Sequence, residues 1–384
     1  MRTIKVLHIA NMNTMGGIQT RLIDLLSQPV RNFRFALFSP RPFTAYWEEK
    51  LSRLSLPYRQ ADSKKKWVKE LTRFALEFGI EIAHFHKPWP DAKRELKKAG
   101  VKIIIEHDQG ASWYPQPDIA SNLKTVDAVI SLSKASRIIM ETLGYEPSKI
   151  HLIYYGIDFK QLKATAPVPR PPGKKIITTV CRLEPIKGVD ALLKAIPLVL
   201  KYRKDVEFWI VGDGSARNEL ICLSAKLGIN DYVKFWLTQT EVANFYAATD
   251  LFVLASVREP FGSVLVEAGY FQLPSIASNV DGIPEIIDHG KTGILIDPSE
   301  PFNPPNGRIP QWVVDGATGK LHKPYSLNPT KLGKAILKLL NNPAACRSMG
   351  LEAFKRVHKF FNIRRYRRET IDFYHSLLKA KGLL

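Results

Sequence analysis

The sequence predicts an α/β protein of two doubly wound, Rossmann-like domains facing each other across a cleft. Three observations predict it. Short β-rich runs alternate with helical patterns along most of the 384 residues, the order that winds helices around a parallel sheet. Continuous apolar strands such as residues 103–105 imply burial on both faces, as in a parallel sheet covered on each side. One proline-rich stretch, residues 166–173 (APVPRPPG), interrupts the alternation, which then restarts.

In order, the first half reads as strand 4–10, helix 18–27, strand 33–38, helix 67–78, strand 80–85, helix 91–99 and strand 101–106. Strand 127–132, helix 134–143 and strand 149–153 complete it. The second half reads as strand 175–181, helix 189–201, strand 206–211, helix 215–227, strand 232–235, helix 241–248, strand 250–255, helix 263–271 and strand 273–277. Domains are therefore expected over 1–165 and 175–355. A linker over 166–174 joins them, and a basic helix over 356–384 follows. One repeat is visible: Ile283-Pro284, Gly290, Thr292, Gly293, Leu295 and Pro298 recur as Ile309-Pro310, Gly316, Thr318, Gly319, Leu321 and Pro324. Two copies do not make a solenoid, so the second reads as a duplicated loop-and-strand insertion.

Composition narrows the class. Hydrophobic residues make up 45% and charged residues 24%, which excludes wholesale disorder and fits a soluble globular chain. Three cysteines, Cys181, Cys222 and Cys346, exclude a disulfide framework and suggest a reducing compartment. No apolar run approaches the roughly 20 residues that span a bilayer. The N-terminal residues are too polar beyond Ile9 for a secretory signal, so a cytoplasmic location is expected. The charge stands out: 56 Lys and Arg against 36 Asp and Glu give +20. An anionic partner is implied, whether nucleic acid, a membrane face or a phosphorylated small molecule.

Three segments carry chemistry. Glu259-Pro260-Phe261-Gly262 is followed by Glu267, an E-x7-E pattern at a strand-to-helix turn. Free amides near Gly262, Ser263 and Val264 would face an anion, aided by the helix dipole, while the carboxylates face hydroxyls. A capped surface helix with incidental glutamates fits that spacing equally. Arg182 and Lys187, in CRLEPIKG after the first strand of the second half, suit a diphosphate, Arg by bidentate contacts and Lys as a point charge, although two solvated loop charges are the commoner fate of such a pair. Gly16-Gly17 after the first strand lets backbone approach a ligand closely.

Taken together, these residues resemble the family-4 glycosyltransferases, which have the GT-B architecture. The resemblance covers nearly the whole chain and is strongest over residues 180–188 (VCRLEPIKG), 211–214 (VGDG), 259–268 (EPFGSVLVEA) and 282–295 (GIPEIIDHGKTGIL). It implies retaining, hexosyl-type transfer from a nucleotide-sugar, UDP- or GDP-linked, without a metal or other cofactor. Arg182 and Lys187 are then expected to hold the donor diphosphate and stabilise the departing nucleotide. Glu259 is expected to bind donor sugar hydroxyls, Glu267 the ribose, and the amides after Phe261 a phosphate. Gly17 would border the donor phosphates, and Gly212-Asp213-Gly214 would line the nucleotide pocket. His107, in IIIEHDQG, matches a histidine near the sugar, expected to orient the reactants or stabilise an oxocarbenium-like state. His86 matches a second histidine, structural or close to the acceptor, and Asp108 is a candidate to orient either. The C-terminal helix is expected to cross back to the first domain.

The chain departs from the family twice. Tyr155 stands before Gly156 where an asparagine is usual, and Phe235-Trp236-Leu237-Thr238 lacks a glycine common after that strand, near the expected base pocket. Residues 1–165 carry 26 Lys and Arg against 16 Asp and Glu, and Lys64-Lys65-Lys66-Trp67-Val68-Lys69 enters a helix with an apolar face. This suits a glycan or lipid-linked acceptor at an anionic membrane, at the inner face of the cell membrane, in surface polysaccharide or lipopolysaccharide synthesis. Two alternatives are a nucleotide-sugar epimerase of the same fold and a non-enzymatic basic protein that binds membrane or nucleic acid. No nucleic-acid recognition motif accompanies the charge, so specific nucleic-acid binding is not expected.

Overall fold

The computed structural model describes residues 2–14, 16–110, 113, 119–304, 307 and 309–384. The chain divides into two compact units, one of residues 1–157 with 363–384, the other of residues 158–362. The break falls before the proline-rich segment, not within it. The reason is local: the amides of Thr165 and Ala166 donate to Asn244 Oδ1, and Val168 N donates to Asn244 O. The segment is thereby bound into the second unit.

The first unit is a seven-stranded parallel sheet: β1 (Ile4–Ile9), β2 (Phe33–Ser39), β3 (Tyr58–Gln60), β4 (Ile82–Phe85), β5 (Ile103–His107), β6 (Ala128–Ser131) and β7 (Ile150–Leu152). Its order is β3-β2-β1-β4-β5-β6-β7, so the winding reverses between β1 and β4. The second unit has a six-stranded parallel sheet: β8 (Lys175–Val180), β9 (Val206–Val211), β10 (Val233–Trp236), β11 (Leu251–Leu254), β12 (Ser275–Ser278) and β13 (Gly293–Ile296). Its order, β10-β9-β8-β11-β12-β13, reverses between β8 and β11. β9 is buried along its whole length, which explains why VEFWIV reads as an unbroken run rather than an alternation.

In the first unit three elements were not expected from the sequence, helix Ala45–Ser52, edge strand β3 and helix Ile119–Thr125, and in the second unit strand β13 and helix Pro329–Leu340 were not. The first starts at Thr44, whose side chain accepts from Trp47 N. The C-terminal region is two helices, Pro343–Phe360 and Ile363–Ala380, rather than one beginning at 356. Phe361 leaves the first helix to bury its ring against Phe261, centroids 5.7 Å apart. The second helix belongs to the first unit. Arg367 Nε donates to Leu25 O, and Tyr374 is completely buried beside His84.

Between β13 and helix Pro329–Leu340 an arm leaves the second sheet. Its stalk is the antiparallel pair β14 (Glu300–Pro301) and β17 (Tyr325–Ser326). Its tip is the hairpin β15 (Val313–Val314) and β16 (Leu321–His322). The tip is the second copy of the repeat. The first copy forms helix Ile283–Ile286 and the parallel strand β13, so the two copies share sequence but not structure.

Behind β5 of the first unit, Lys93 and Glu106 form a buried ion pair. Lys93 Nζ also donates to Asn122 Oδ1 at 2.7 Å, and Asn122 Nδ2 donates to Glu106 Oε2 at 2.6 Å. Burial lowers the Lys93 pKa, and Glu106 opposes that shift. Removing one partner strands the other charge. Glu106→Ala is expected to cost about 3–5 kcal/mol, whereas the joint Lys93→Met, Glu106→Leu change costs far less, as urea unfolding would show.

Candidate functional site

In an open parallel sheet, ligands bind beyond the carboxyl ends of the strands where the winding reverses. In the second unit that place is the pair of loops after β8 and β11. The β8 loop holds Arg182 and Lys187, and the β11 loop holds Glu259. Backbone contact forces the loops together. Gly188 has φ +63°, and a Cβ there would lie 2.0 Å from Ala255 O. On the other side, a Cβ at Gly212 would lie 1.9 Å from Cys181 O, and Leu183 N donates to Asp213 O. Val257 N donates to Ile186 O at 2.9 Å, closing the group. Gly212 and Gly214 thus let the turn after β9 press against the Arg182 loop.

The result is an ion pair. Lys187 Nζ lies 2.6 Å from Glu259 Oε2, with the side chains 14% and 12% exposed. The two residues are far apart in sequence, and each neutralises the other at the mouth of the site. The Arg182 side chain is exposed beside them. Gly262 has φ +97° and opens helix Ser263–Tyr270, whose first amides, Ser263 and Val264, have no acceptor within the helix by geometry. Phe261 is buried and anchors the turn. Glu267 lies in the second turn of that helix, 8% exposed, and its Oε2 accepts from Tyr246 OH at 3.0 Å. The structure therefore brings Arg182, Lys187, Glu259, Gly262 and Glu267 onto neighbouring loops and one helix. Tyr246 was not singled out from the sequence, because no motif links it to Glu267.

Trp236 ends β10. Its carbonyl accepts from Gly212 N at 3.0 Å, and its ring meets Phe245 edge-on at 5.1 Å. The indole Nε1 is buried without a hydrogen-bond partner among the described residues. A bulky aromatic wall thus stands beside the glycine turn where a glycine was expected.

The first unit carries the histidines. Gly16 precedes and Gly17 opens helix Gly17–Leu26 after β1. His8 on β1 lies in register with His84 on β4, and His86 and His107 follow at the ends of β4 and β5. All four are buried. His8 Nδ1 and His86 Nε2 are 3.0 Å apart, and His84 Nδ1 lies 2.7 Å from Tyr374 OH. Burial lowers every one of these pKa values, that of His86 to about 3, so the rings are neutral. One ring nitrogen each of His8, His84 and His86 lie within 4.8 Å of one another. Yet the planes of His84 and His86 differ by only 10°, and that of His8 lies within 34° of both. Lone pairs lie in the ring plane, so these run side by side rather than converge as tetrahedral ligation requires. The group is a hydrogen-bonded stack.

His107 differs from the others, because neither ring nitrogen has a hydrogen-bond partner among the described residues. It packs against Tyr155, centroids 5.2 Å apart. Tyr155 in turn donates to Gln109, whose Nε2 faces His86 Nδ1 at 3.3 Å. His86 is thus bonded at both nitrogens, which favours its structural role. The Asp108 carboxylate accepts from Gly110 N and from Ser136 Oγ, at 3.1 and 2.5 Å.

A single chain with two such doubly wound units has the GT-B architecture. The family profile "Glycosyltransferase Family 4" matches residues 15–161, and "Glycosyl transferases group 1" matches residues 161–303. The chain belongs to the family-4 glycosyltransferases. It is 34% identical over 145 residues to the N-acetyl-alpha-D-glucosaminyl L-malate synthase of Bacillus anthracis, covering 38% of this chain and 37% of that protein. It is 29% identical over 164 residues to the D-inositol 3-phosphate glycosyltransferase of Segniliparus rotundus, covering 40% and 36%. The chain thus spans little more than a third of the length of these curated relatives. Among solved structures, Anabaena HepE in complex with UDP and glucose has the same fold, with TM-score 0.78 at 19% identity over 97% of this chain and 100% of that one.

The neutral stack has a consequence for stability. Unfolded histidines titrate near 6.5, whereas the folded rings resist protonation to far lower pH. Below about pH 6.5 the unfolded state binds more protons, so stability present at neutral pH is lost as pH falls. Each ring contributes a slope of up to about 1.4 kcal/mol per pH unit. Urea unfolding between pH 7 and 5 should show this slope, and His84→Asn should reduce it.

Proposed function

We propose that this protein is a retaining, metal-independent glycosyltransferase. It moves a hexose from a nucleotide-sugar to a glycan or lipid-linked acceptor. One observation carries the reading: Lys187 and Glu259 pair where the winding of the second sheet reverses, and Arg182 stands on the same loop as Lys187. A donor exchanges that pair for itself. Its diphosphate takes Lys187 and Arg182, and its sugar hydroxyls take Glu259. Lys187 trades a carboxylate for phosphate oxygens, and Glu259 trades an ammonium donor for hydroxyl donors.

The chemical step separates the sugar from the diphosphate, so negative charge grows on the leaving group. Lys187, Arg182 and the helix amides at Ser263 and Val264 lie where they would stabilise it. Glu267, held by Tyr246, is suited to the ribose hydroxyls. His107 acts by orienting the reactants or supporting positive charge on the sugar, and neither of its nitrogens has a hydrogen-bond partner among the described residues. The solved relative's complex with UDP favours a uridine donor over a guanosine one.

The acceptor reading rests on charge. Lys64, Lys65, Lys66, Lys69 and Arg73 are exposed around helix Trp67–Phe78, which buries Leu71, Phe74 and Ala75 on its other face. Near an anionic membrane each such lysine contributes about 1 kcal/mol. A cytoplasmic enzyme resting on the inner membrane face, serving surface polysaccharide or lipopolysaccharide synthesis, fits this surface.

Thermal-shift measurements with UDP, GDP, ADP and their sugar conjugates should give one stabilising class, and a flat panel would count against the donor site. Lys187→Ala and Glu259→Ala should each lower kcat by about 100-fold or more while leaving the folded state intact. Normal turnover by either folded variant would overturn the assignment. Chelation by EDTA should leave the rate unchanged.

A further inference from the structure

The arm of the second unit returns to the site. Asp281, in the loop after β12, is 3% exposed and has φ +48°, a backbone region that favours glycine. Its carboxylate takes two amides. Oδ2 accepts from Glu259 N at 2.8 Å, and Oδ1 accepts from Val314 N at 2.9 Å. The backbone repeats both links. Asp281 N donates to Val314 O at 2.8 Å, and Gly282 N donates to Glu259 O at 3.1 Å. A third contact seats the arm: Gly316 N donates to Asn279 O, and a Cβ at Gly316 would lie 2.1 Å from Asn279 Oδ1 and 2.4 Å from Pro284 Cγ. The second copy of the repeat therefore packs on the loop that leads into the first copy.

We propose that the duplicated hairpin is a splint for the donor-binding loop, and that Asp281 is the positioning residue through which it holds Glu259. This rests on the reading of Glu259 as the donor-sugar ligand. A carboxylate is the side chain that suits the place. It has two acceptor oxygens and no donor, facing two N–H groups that point at it from different segments. Glycine would relieve the backbone but leave both amides without that acceptor. Asparagine would turn its NH2 toward one of them. The Glu259 carboxylate follows its own backbone, so a shift of that amide moves the group that meets the sugar. Contacts to the nucleotide, made by other residues, would stay where they are.

Two variants test this from opposite sides. Asp281→Gly removes the carboxylate without straining the backbone. Gly316→Ala, on the arm tip, lifts the hairpin without touching Asp281 or Glu259. Hydrogen exchange read at single residues should show the Glu259 amide protected in the parent and exposed in both variants. With the UDP-sugar that the panel identifies, kcat/KM should fall about tenfold in each, as expected for a misplaced substrate ligand. UDP affinity should stay within about twofold, a separation that general loosening of the fold would not give. The double variant should be no worse than Asp281→Gly alone, because both act on one contact. Unchanged protection of Glu259 in either folded variant would overturn the proposal, as would additive losses in the double variant. If the parent transfers no sugar, the functional reading fails, while the exchange data still decide whether the arm holds Glu259.

Discussion

The ion pair between Lys187 and Glu259 depends on a coincidence of two strand ends, and most of the second unit serves to produce it. β8 and β11 are sequential neighbours in space but not in sequence. Their loops meet only where backbone contact draws them together. The close backbone packing of Gly188 on Ala255 and the hydrogen bond from Val257 N to Ile186 O supply that constraint, and the first leaves no room for a side chain at Gly188. The charges are a consequence of the backbone: opposite groups on two converging loops satisfy each other when no ligand is bound. In the proposed donor complex, phosphates and hydroxyls would replace the two partners of this pair together. A ligand offering only one of these would free one member of the pair without replacing its partner.

The first unit is organised around a different problem, the burial of polar rings on one face of a parallel sheet. Four imidazoles occupy positions that elsewhere hold valine or isoleucine. They are tolerated because they are uncharged and because five of their eight nitrogens bond to one another, to Tyr374 or to Gln109. That tyrosine comes from the last helix of the chain, so the C-terminal residues complete the polar network of strands laid down at the beginning. His107 has neither nitrogen partnered among the described residues, and it sits at a strand end, where ligands meet such sheets.

Much of this was legible in the sequence. The strand and helix alternation gave the interior strands of both sheets, because apolar runs in parallel strands are long and unambiguous, but missed the edge strands β3 and β13. Arg182, Lys187, Glu259, Gly262 and Glu267 were legible because their spacing on βα loops is local. What was not legible depended on contacts between distant segments. The edge strand Tyr58–Gln60 is three residues long with no buried position, too little for periodicity to register. Tyr246 and Asp281 carry no motif of their own, and their roles appear only when their partners arrive from elsewhere in the chain. The domain break was displaced because proline content reports backbone stiffness, whereas the unit to which a segment belongs is decided by contacts such as those of Asn244. The sequence shows no break in the C-terminal helix, because the burial of Phe361 leaves no trace in charge or hydropathy.

The two copies of the repeat also set the chain a pairing problem while it folds. Residues 293–296 form the outermost strand of the second sheet, and an outermost strand can be replaced by any segment that offers the same backbone. The second copy presents the same Thr-Gly turn and the same leucine only a short distance later. What differs is the flank of that leucine: Ile294 and Ile296 in the first copy, Lys320 and His322 in the second. The isoleucines join the core of the second unit. A lysine and a histidine in their place would have to surrender water to enter it. Two residues thus act as an address label, admitting one copy to the sheet and sending the other outward.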